Sequence, residues 1–245
     1  KSAKAIRAIF GEDAPRFVAL LAALSPRTSV PQNLTNALAV WRGWIADGRP
    51  TDAAAIHKIM AKNVQGTGEK SVLQGWKKNT VTALSSGNQE TTVLSGPKVQ
   101  SFALNLRDFV NEVANDTWMA NYAFIDQIVF KGDKAVQRPG KGSGYVAMSV
   151  RTRQAAAQEG MEGWTPDEIQ ETVWSFSKAL YELAYGAPTR RNPAAGMTAP
   201  KVLKGGLLTH EEINDQPDFE VLFLDPRYRG VIEEAGYTEQ LDELE

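Results

Sequence analysis

Apolar residues recur at helical spacing along most of the chain, and no stretch alternates apolar and polar positions as a β-strand does. The strongly apolar stretch 16–24 ends at a Ser-Pro break. In the stretch 33–45, one helical face carries Leu34, Leu38, Trp41 and Ile45. The pattern therefore predicts an all-α fold.

Polar residues, glycines and prolines separate the predicted helices. Asp52 is placed to cap one helix, and Thr165 and Glu168 form a capping box at the start of another. A further helix is predicted to begin at Asp116. The other helices are predicted over 16–24, 33–45, 52–62, 72–84, 98–109, 145–158 and 165–185.

The segments between these helices indicate how the chain is divided. The stretch 131–144 is basic and rich in glycine, which predicts a surface loop. Residues 187–206 are rich in proline and glycine and are typical of a linker. We therefore expect one helical domain over 1–186, this linker, and an irregular acidic C-terminal extension over 207–245.

The net charge of −2 conceals opposite balances in the two parts of the chain. Residues 1–153 carry 20 Lys and Arg against 11 Asp and Glu, whereas residues 154–245 carry 7 against 18. The excess of basic residues in the first part suits a polyanionic partner such as DNA. The alternative is chance clustering of charge together with an acidic, solubilising tail.

Composition excludes or disfavours several kinds of site. The chain contains no cysteine, which excludes disulfides, thiolate metal sites and a cysteine-ligated iron–sulfur cluster. Its histidines, His57 and His210, are too few for a histidine-rich metal site, and we expect neither a metal nor a cofactor. No apolar run reaches the roughly 18 residues of a membrane span, so no membrane partner is expected.

One segment carries a candidate for catalysis. The turn over residues 94–97 leads into a predicted helix, whose free backbone N–H groups can hold a DNA phosphate. Lys98 stands at the start of that helix, and Asp116 stands eighteen residues later at the start of the next. Because one helix and a short loop separate them, both side chains can face one pocket.

Over residues 15–125 the chain resembles the helix-hairpin-helix DNA glycosylases related to endonuclease III. It has that family's pattern of Gly-x-Lys, then Leu-Asn, then Asp-Thr. The resemblance implies that Lys98 matches the lysine that forms a Schiff base in bifunctional members, and that Asp116 matches the aspartate required throughout. Upstream, Leu-Ser-Pro-Arg-Thr at 24–28 and Asn33 resemble the segment that lines the lesion pocket and fills the gap left by the flipped base.

Two features depart from the family pattern. The hairpin has the single glycine Gly96 where the family usually has two, and the cysteine cluster of endonuclease III is absent. The distal part, residues 154–174, is more similar to divergent, often phage-encoded members, some of which act in thymine hypermodification. This resemblance implies a cytoplasmic protein of phage-encoded type.

The resemblance and the charge pattern together assign roles to individual residues. Catalysis is assigned to Asp116 and Lys98. Contacts with DNA are assigned to Arg27, Thr28, Gly96, Val99, Gln100, Arg138, Lys141, Arg151 and Arg153. The base pocket is assigned to Ser25, Asn33 and Trp118.

Each assignment has a simpler structural alternative. Asp116 is also suited to be a plain N-cap, and Lys98 to be a solvated residue of the first helical turn. Arg27 can be an exposed turn residue instead of a wedge in the duplex, and the other arginines an ordinary solvated face. Trp41, Trp44 and Trp174, which lie at helical spacing, are interpreted as core residues.

Three functions suit these residue types. In a DNA glycosylase, Asp116 stabilises positive charge on the sugar, and Lys98 attacks C1′ if lyase activity is present. In a hypermodification transferase, Asp116 is the base for a small amine co-substrate and Lys98 holds a phosphate leaving group. In a non-catalytic DNA-binding module, Asp116 is only a cap. We expect an enzyme of the first kind, acting on a flipped base.

Overall fold

The computed structural model describes residues 2–64, 72–86, 92–123, 143–185 and 223–244, and within these ranges it contains helices and no strand. The predicted all-α class is therefore confirmed. The helices are α1 (Ser2–Phe10), α2 (Ala14–Leu24), α3 (Val30–Ala46), α4 (Ala53–Asn63), α5 (Gln74–Ser85), α6 (Pro97–Asn105), α7 (Thr117–Tyr122), α8 (Ser143–Ala156), α9 (Pro166–Tyr185), α10 (Pro226–Glu234) and α11 (Thr238–Asp242).

The chain forms two compact units. The first unit comprises Lys1–Asp108 together with Pro217–Glu245, and the second comprises Phe109–Gln216. The predicted linker over 187–206 lies outside the described residues, as does most of the predicted loop over 131–144. The end of that loop differs from the prediction, because α8 begins at Ser143.

The core of the first unit is built around α2, whose residues from Phe17 to Leu24 are all buried. Aromatic side chains from the neighbouring helices close around it. The rings of Phe10 and Phe17 stack with centroids 3.8 Å apart, and Trp41 meets Phe17 edge to face at 5.5 Å. Such pairs add to the free energy gained by burying large apolar surfaces.

The C-terminal segment is helical and belongs to this core, so the prediction of an irregular extension is wrong over α10 and α11. Phe223, Tyr228 and Ile232 are buried in the first unit. Asp225 caps α10 by accepting a hydrogen bond from the Arg227 N–H at 2.9 Å. Burial of these few apolar side chains outweighs the acidic composition that suggested a solvated tail.

Local capping signals are confirmed where the sequence marked them. Asp52 accepts a hydrogen bond from the Ala55 N–H at 2.9 Å at the start of α4. At the start of α9, the Glu168 carboxylate accepts from the Thr165 N–H at 2.9 Å, which is the reciprocal bond of a capping box. These side chains satisfy backbone N–H groups that lack a partner within the helix.

The helix that carries Lys98 is shorter than predicted. α6 ends at Asn105, whereas the apolar pattern predicted a helix reaching residue 109. Just beyond it, Asp108 adopts a left-handed backbone conformation with φ of 77°, and its carboxylate pairs with Arg7 at 2.9 Å. The left-handed residue ends the helical path.

The second unit has a small core where α7, α8 and α9 meet. Its buried apolar side chains are Met119, Ile169 and Val173, and Trp164 and Trp174 pack against them. Buried polar side chains accompany them, namely Asn115, Ser149, Thr152, Gln170, Thr172 and Ser177. The unit is therefore organised partly by hydrogen bonds, which are directional and fix relative positions.

Candidate functional site

Asp116 lies at the start of α7 in the second unit, with its carboxyl group half-buried. One carboxylate oxygen, Oδ1, accepts a hydrogen bond from the Trp118 N–H at 2.8 Å, as a capping aspartate does. The other, Oδ2, accepts from the indole N–H of Trp174 at 3.0 Å. Both oxygens are thus held by donors from different helices, which orients the plane of the carboxyl group.

α9 supports this arrangement on both sides of Trp174. Val173 is buried against Met119 of α7. One turn later, the Ser177 hydroxyl donates to the backbone carbonyl of Trp118 at 3.0 Å. Lys178 places its ammonium nitrogen 5.8 Å from the centre of the Trp174 ring. The first turn of α7 is therefore attached to α9 at several points around Asp116.

The residue before Asp116 anchors the chain against α8. Asn115 is almost fully buried, and its amide donates to the Ser149 hydroxyl at 2.8 Å. The Tyr145 hydroxyl donates to the carbonyl of Val113 at 2.7 Å. Within the described part of the chain, the Asn115 Oδ1 atom has no hydrogen-bond partner. These contacts hold Asp116 from its N-terminal side.

The predicted DNA-contacting turn between α2 and α3 lies in the first unit. Thr28 closes it, because its hydroxyl lies 3.2 Å from the Leu24 carbonyl and 2.8 Å from the Ser25 carbonyl. Arg27 is exposed and left-handed, with φ of 64°. Asn33 is buried in the first turns of α3. The turn thus presents an arginine to solvent at a cost in backbone strain.

The start of α6 carries the other predicted group of the first unit. Gly96 has φ of 101°, a conformation that favours glycine, and Lys98 follows it half-buried in the first turn. Gln100 is occupied locally, because its side-chain oxygen accepts from the Leu94 N–H at 2.7 Å. Val99 is buried in the core. The positive φ of Gly96 thus agrees with the turn that the sequence predicted here.

One face of α5 supports both turns. The indole N–H of Trp76 donates to the Pro26 carbonyl at 3.1 Å. One helical turn later, the Asn79 side chain pairs with the backbone of Ser95. The turn of residues 25–28 and the turn before α6 are in this way brought to the same helix. Neither Trp76 nor Asn79 was among the predicted site residues.

The remaining predicted residues belong to the second unit or lie outside the described residues. Arg151 and Arg153 are exposed on α8. Arg153 donates to the carbonyl of Asn111 at 2.8 Å, so part of its guanidinium is used locally. Arg138 and Lys141 lie outside the described residues. The structure therefore groups the second unit's predicted residues only in part, with Asp116 just before α7 and Trp118 in its first turn.

Sequence reasoning missed Trp174 as a partner of Asp116. The prediction that Trp41 and Trp44 are core residues is confirmed, since both are at most 1% exposed. Trp174 packs against the small core but also gives its one hydrogen-bond donor to Asp116. Its helical spacing indicated burial alone, and nothing in the sequence marked the hydrogen bond.

A concave surface lies at the connection between α8 and α9. It is a shallow depression, open to solvent, of about 300 Å³ and is lined by residues 156–159 and 161–164. Glu159, Glu162 and the indole of Trp164 are among these residues. Backbone N–H groups of Glu162 itself and of Gly160 hold the pKa of the Glu162 carboxyl below its usual value. The cavity therefore carries negative charge beside an aromatic ring.

The described ranges hold no group of three or more His, Cys, Asp or Glu side chains that could bind a metal ion. Among the same residues, every helix is too short or too polar to cross a membrane.

The comparison with known proteins gives one family. No curated protein and no solved structure matches the chain. A family model does match residues 2–179, which is more than half of the chain and includes Lys98, Asp116 and Trp174. The chain therefore belongs to DUF7178, a family of unknown function.

Proposed function

We propose that this protein is an enzyme that acts on a base in DNA, and specifically a DNA glycosylase of the helix-hairpin-helix type. It would take a modified or damaged base out of the stack and cleave its N-glycosidic bond. The observation that carries the proposal is the Asp116 carboxyl group, half-buried and held at both oxygens by the Trp118 and Trp174 N–H groups.

The geometry of Asp116 suits this chemistry. When the bond from C1′ to the base breaks, the base leaves with the electron pair and positive charge develops on the sugar. A carboxylate that is already oriented stabilises this charge without first reorganising. Water then adds at C1′ and loses a proton, which Asp116 can accept.

Lys98 is an alternative nucleophile to water in this proposal. Its amine would attack C1′ and displace the base; the C1′–O4′ bond would then open, with the proton from the nitrogen passing to O4′, and leave an imine between Lys98 and C1′. The imine would then allow the strand to be cleaved. Support for this step comes from the position of Lys98 in the first turn of α6, two residues after the left-handed Gly96, and from the resemblance to bifunctional glycosylases.

DNA binding would use the two turns of the first unit. The exposed Arg27 has a planar guanidinium that can occupy a vacated base position. The start of α6 offers backbone N–H groups to a phosphate. Affinity should fall as salt concentration rises, because phosphate contacts release counterions. An affinity that is constant with salt contradicts this mode of binding.

The test is base release from defined duplexes. DNA carrying a panel of damaged and phage-type modified bases is incubated with wild type, Asp116→Asn and the control Asp47→Asn, and the products are read by mass spectrometry. Asp47 is exposed after α3. We expect free base from wild type and the control, and at least about 100-fold less from Asp116→Asn. A wild-type rate in Asp116→Asn contradicts the proposal, since asparagine keeps an oxygen for the cap but not the charge.

The lyase step has its own test. Borohydride reduces an imine to a stable amine and so attaches the protein to DNA. We expect attachment with wild type and with the control Lys78→Gln, whose lysine is exposed on α5, but not with Lys98→Gln. Attachment that persists in Lys98→Gln excludes Lys98 as the nucleophile, and its absence in wild type indicates a glycosylase without lyase activity.

A second candidate function is a hypermodification transferase that joins an amine to an activated base. The specific observation in its favour is the cavity lined by Glu159, Glu162 and Trp164, because carboxylates and an indole face are complementary to an ammonium ion. Nucleosides of increased mass that form only with an amine donor would support this function. DNA binding with neither product would instead support a non-catalytic module.

A further inference from the structure

We infer that Trp174 is a positioning residue for Asp116: its indole N–H holds the carboxylate in the orientation that stabilises positive charge on the sugar. This inference rests on the proposed function and assigns a role in it to a second side chain. The contact joins Trp174 Nε1 and Asp116 Oδ2 at 3.0 Å, between residues 58 positions apart in the sequence.

The cap alone does not fix the carboxyl group. The Trp118 N–H binds Oδ1 at 2.8 Å, and one bond at one oxygen does not set the plane of the carboxyl group. The Trp174 N–H binds Oδ2 from a different helix, so the two bonds together set that plane. A group held in this way meets developing charge without an entropic or reorganisation cost.

The donor is itself held firmly. Trp174 follows the buried Val173 and precedes Ser177, which is 1% exposed and bonded to the carbonyl of Trp118. Both neighbours contact α7, so the indole cannot move away from Asp116 without disturbing the core of the unit. A residue in a supporting shell needs this kind of restraint to orient a reacting group.

Lys178 acts on the same ring from one turn further along α9. Its ammonium nitrogen lies 5.8 Å from the ring centre, within the range of a cation–π contact. A cation over the face draws electron density from the indole and makes its N–H a better donor. Lys178 therefore favours the same orientation of Trp174 and strengthens the bond to Asp116.

The test measures charge recognition without requiring turnover. Two duplexes are compared, one with a protonated pyrrolidine in place of a nucleoside and one with a neutral tetrahydrofuran. The pyrrolidine imitates the positive sugar, so the ratio of the two affinities reports how well the carboxylate stabilises charge. The proteins are wild type, Asp116→Asn, Trp174→Phe and the control Trp44→Phe, which removes an indole N–H that donates to the Pro50 carbonyl in the first unit.

We expect wild type and the control to prefer the pyrrolidine duplex and Asp116→Asn to lose that preference. Trp174→Phe should lower the preference about tenfold, as expected for loss of a hydrogen bond to a charged group, and leave affinity for tetrahydrofuran unchanged. Trp174→His, which keeps a ring N–H, should recover part of it. This variant also serves if Trp174→Phe proves unstable.

The outcomes separate the inference from the function on which it rests. No preference in wild type overturns the proposed charge stabilisation and the role of Trp174 with it. If Asp116→Asn loses the preference and Trp174→Phe keeps it, the positioning role is overturned and the proposed function stands. If Trp174→Phe and Trp174→His both lower the affinity for the two duplexes equally, Trp174 has only a structural role, and the inference is also overturned.

Discussion

Asn79 pairs with the backbone of Ser95 through both ends of its side-chain amide. Its oxygen accepts from the Ser95 N–H at 2.7 Å, and its nitrogen donates to the Ser95 carbonyl at 3.0 Å. Asn79 is only 4% exposed, so its end of these bonds is shielded from water. They attach the turn before α6 to α5, and they thereby set the position of Gly96 and Lys98.

Replacing Asn79 tests this attachment. We expect Asn79→Ala to lower the free energy of unfolding by about 1–3 kcal/mol, because two hydrogen bonds are lost and the backbone of Ser95 is left unpaired. Urea denaturation gives the value. Lys78→Ala, on the exposed side of the same helix, is the matched control and should change stability by less than about 0.5 kcal/mol. Equal stability of the two variants contradicts the role of Asn79.

Two arginines have a left-handed backbone, and replacing each with glycine should affect the stability of the protein differently. Arg27 and Arg49 have φ of 64° and 59°. Within the described residues no hydrogen bond or ion pair involves the Arg27 side chain. Arg49, by contrast, pairs with Asp13 at 2.8 Å and lies over the ring of Trp44. Glycine relieves the strain at both positions but removes contacts only at Arg49.

We therefore expect Arg27→Gly to leave stability unchanged or to raise it by up to about 1 kcal/mol, and Arg49→Gly to lower it. Thermal unfolding measures both variants. If Arg27 serves DNA, Arg27→Gly should also weaken binding to duplex DNA. Destabilisation by Arg27→Gly would show that this side chain supports the fold, and the strained conformation would then need no functional explanation.

The C-terminal segment should be essential for stability of the first unit. Phe223 has no exposed surface, and its ring meets that of Phe10 edge to face at 6.1 Å. We expect Phe223→Ala to cost about 3–5 kcal/mol, and Phe223→Leu to cost less because it leaves a smaller cavity. Chemical denaturation checks the order. A Phe223→Ala variant as stable as wild type would show that this segment is not part of the core.

The pair Asp225–Arg227 predicts a dependence of stability on pH. Hydrogen bonds from the Arg227 side chain and backbone hold the pKa of Asp225 at about 2. An aspartate in the unfolded chain titrates near about 3.9, so the unfolded state binds more protons between these values. The contribution of the pair is therefore fully present above about pH 4 and is lost as pH falls towards about 2.

Asp225→Asn isolates this effect, because asparagine still caps α10 but carries no charge. The difference in unfolding free energy between wild type and Asp225→Asn should shrink as pH is lowered through that window. When the same comparison is made in an Arg227→Gln background, the pH dependence should become smaller but persist, because the backbone N–H of residue 227 still binds Asp225. A difference that is constant with pH indicates that the ion pair contributes nothing to stability.

The sequence by itself determined the helical class and many helix boundaries. The starts of α4 and α9 were predicted from Asp52 and from the pair Thr165 and Glu168, and these side chains cap as expected. Gly96 was predicted at a turn and has the positive φ that such a turn requires. These features depend on residues a few positions apart, whose interactions the local pattern encodes directly.

The tertiary structure decided which distant residues meet. Helical spacing predicted that Trp174 is a core residue, and only the packing of α9 on α7 brings its N–H to Asp116. Phe223 lay in a segment whose acidic composition suggested solvent exposure, yet it lies in the same core as Phe10. Contacts of this kind depend on how helix faces pack over long sequence separations, and a single side chain's hydrogen bond or buried ring leaves no periodic trace in the chain.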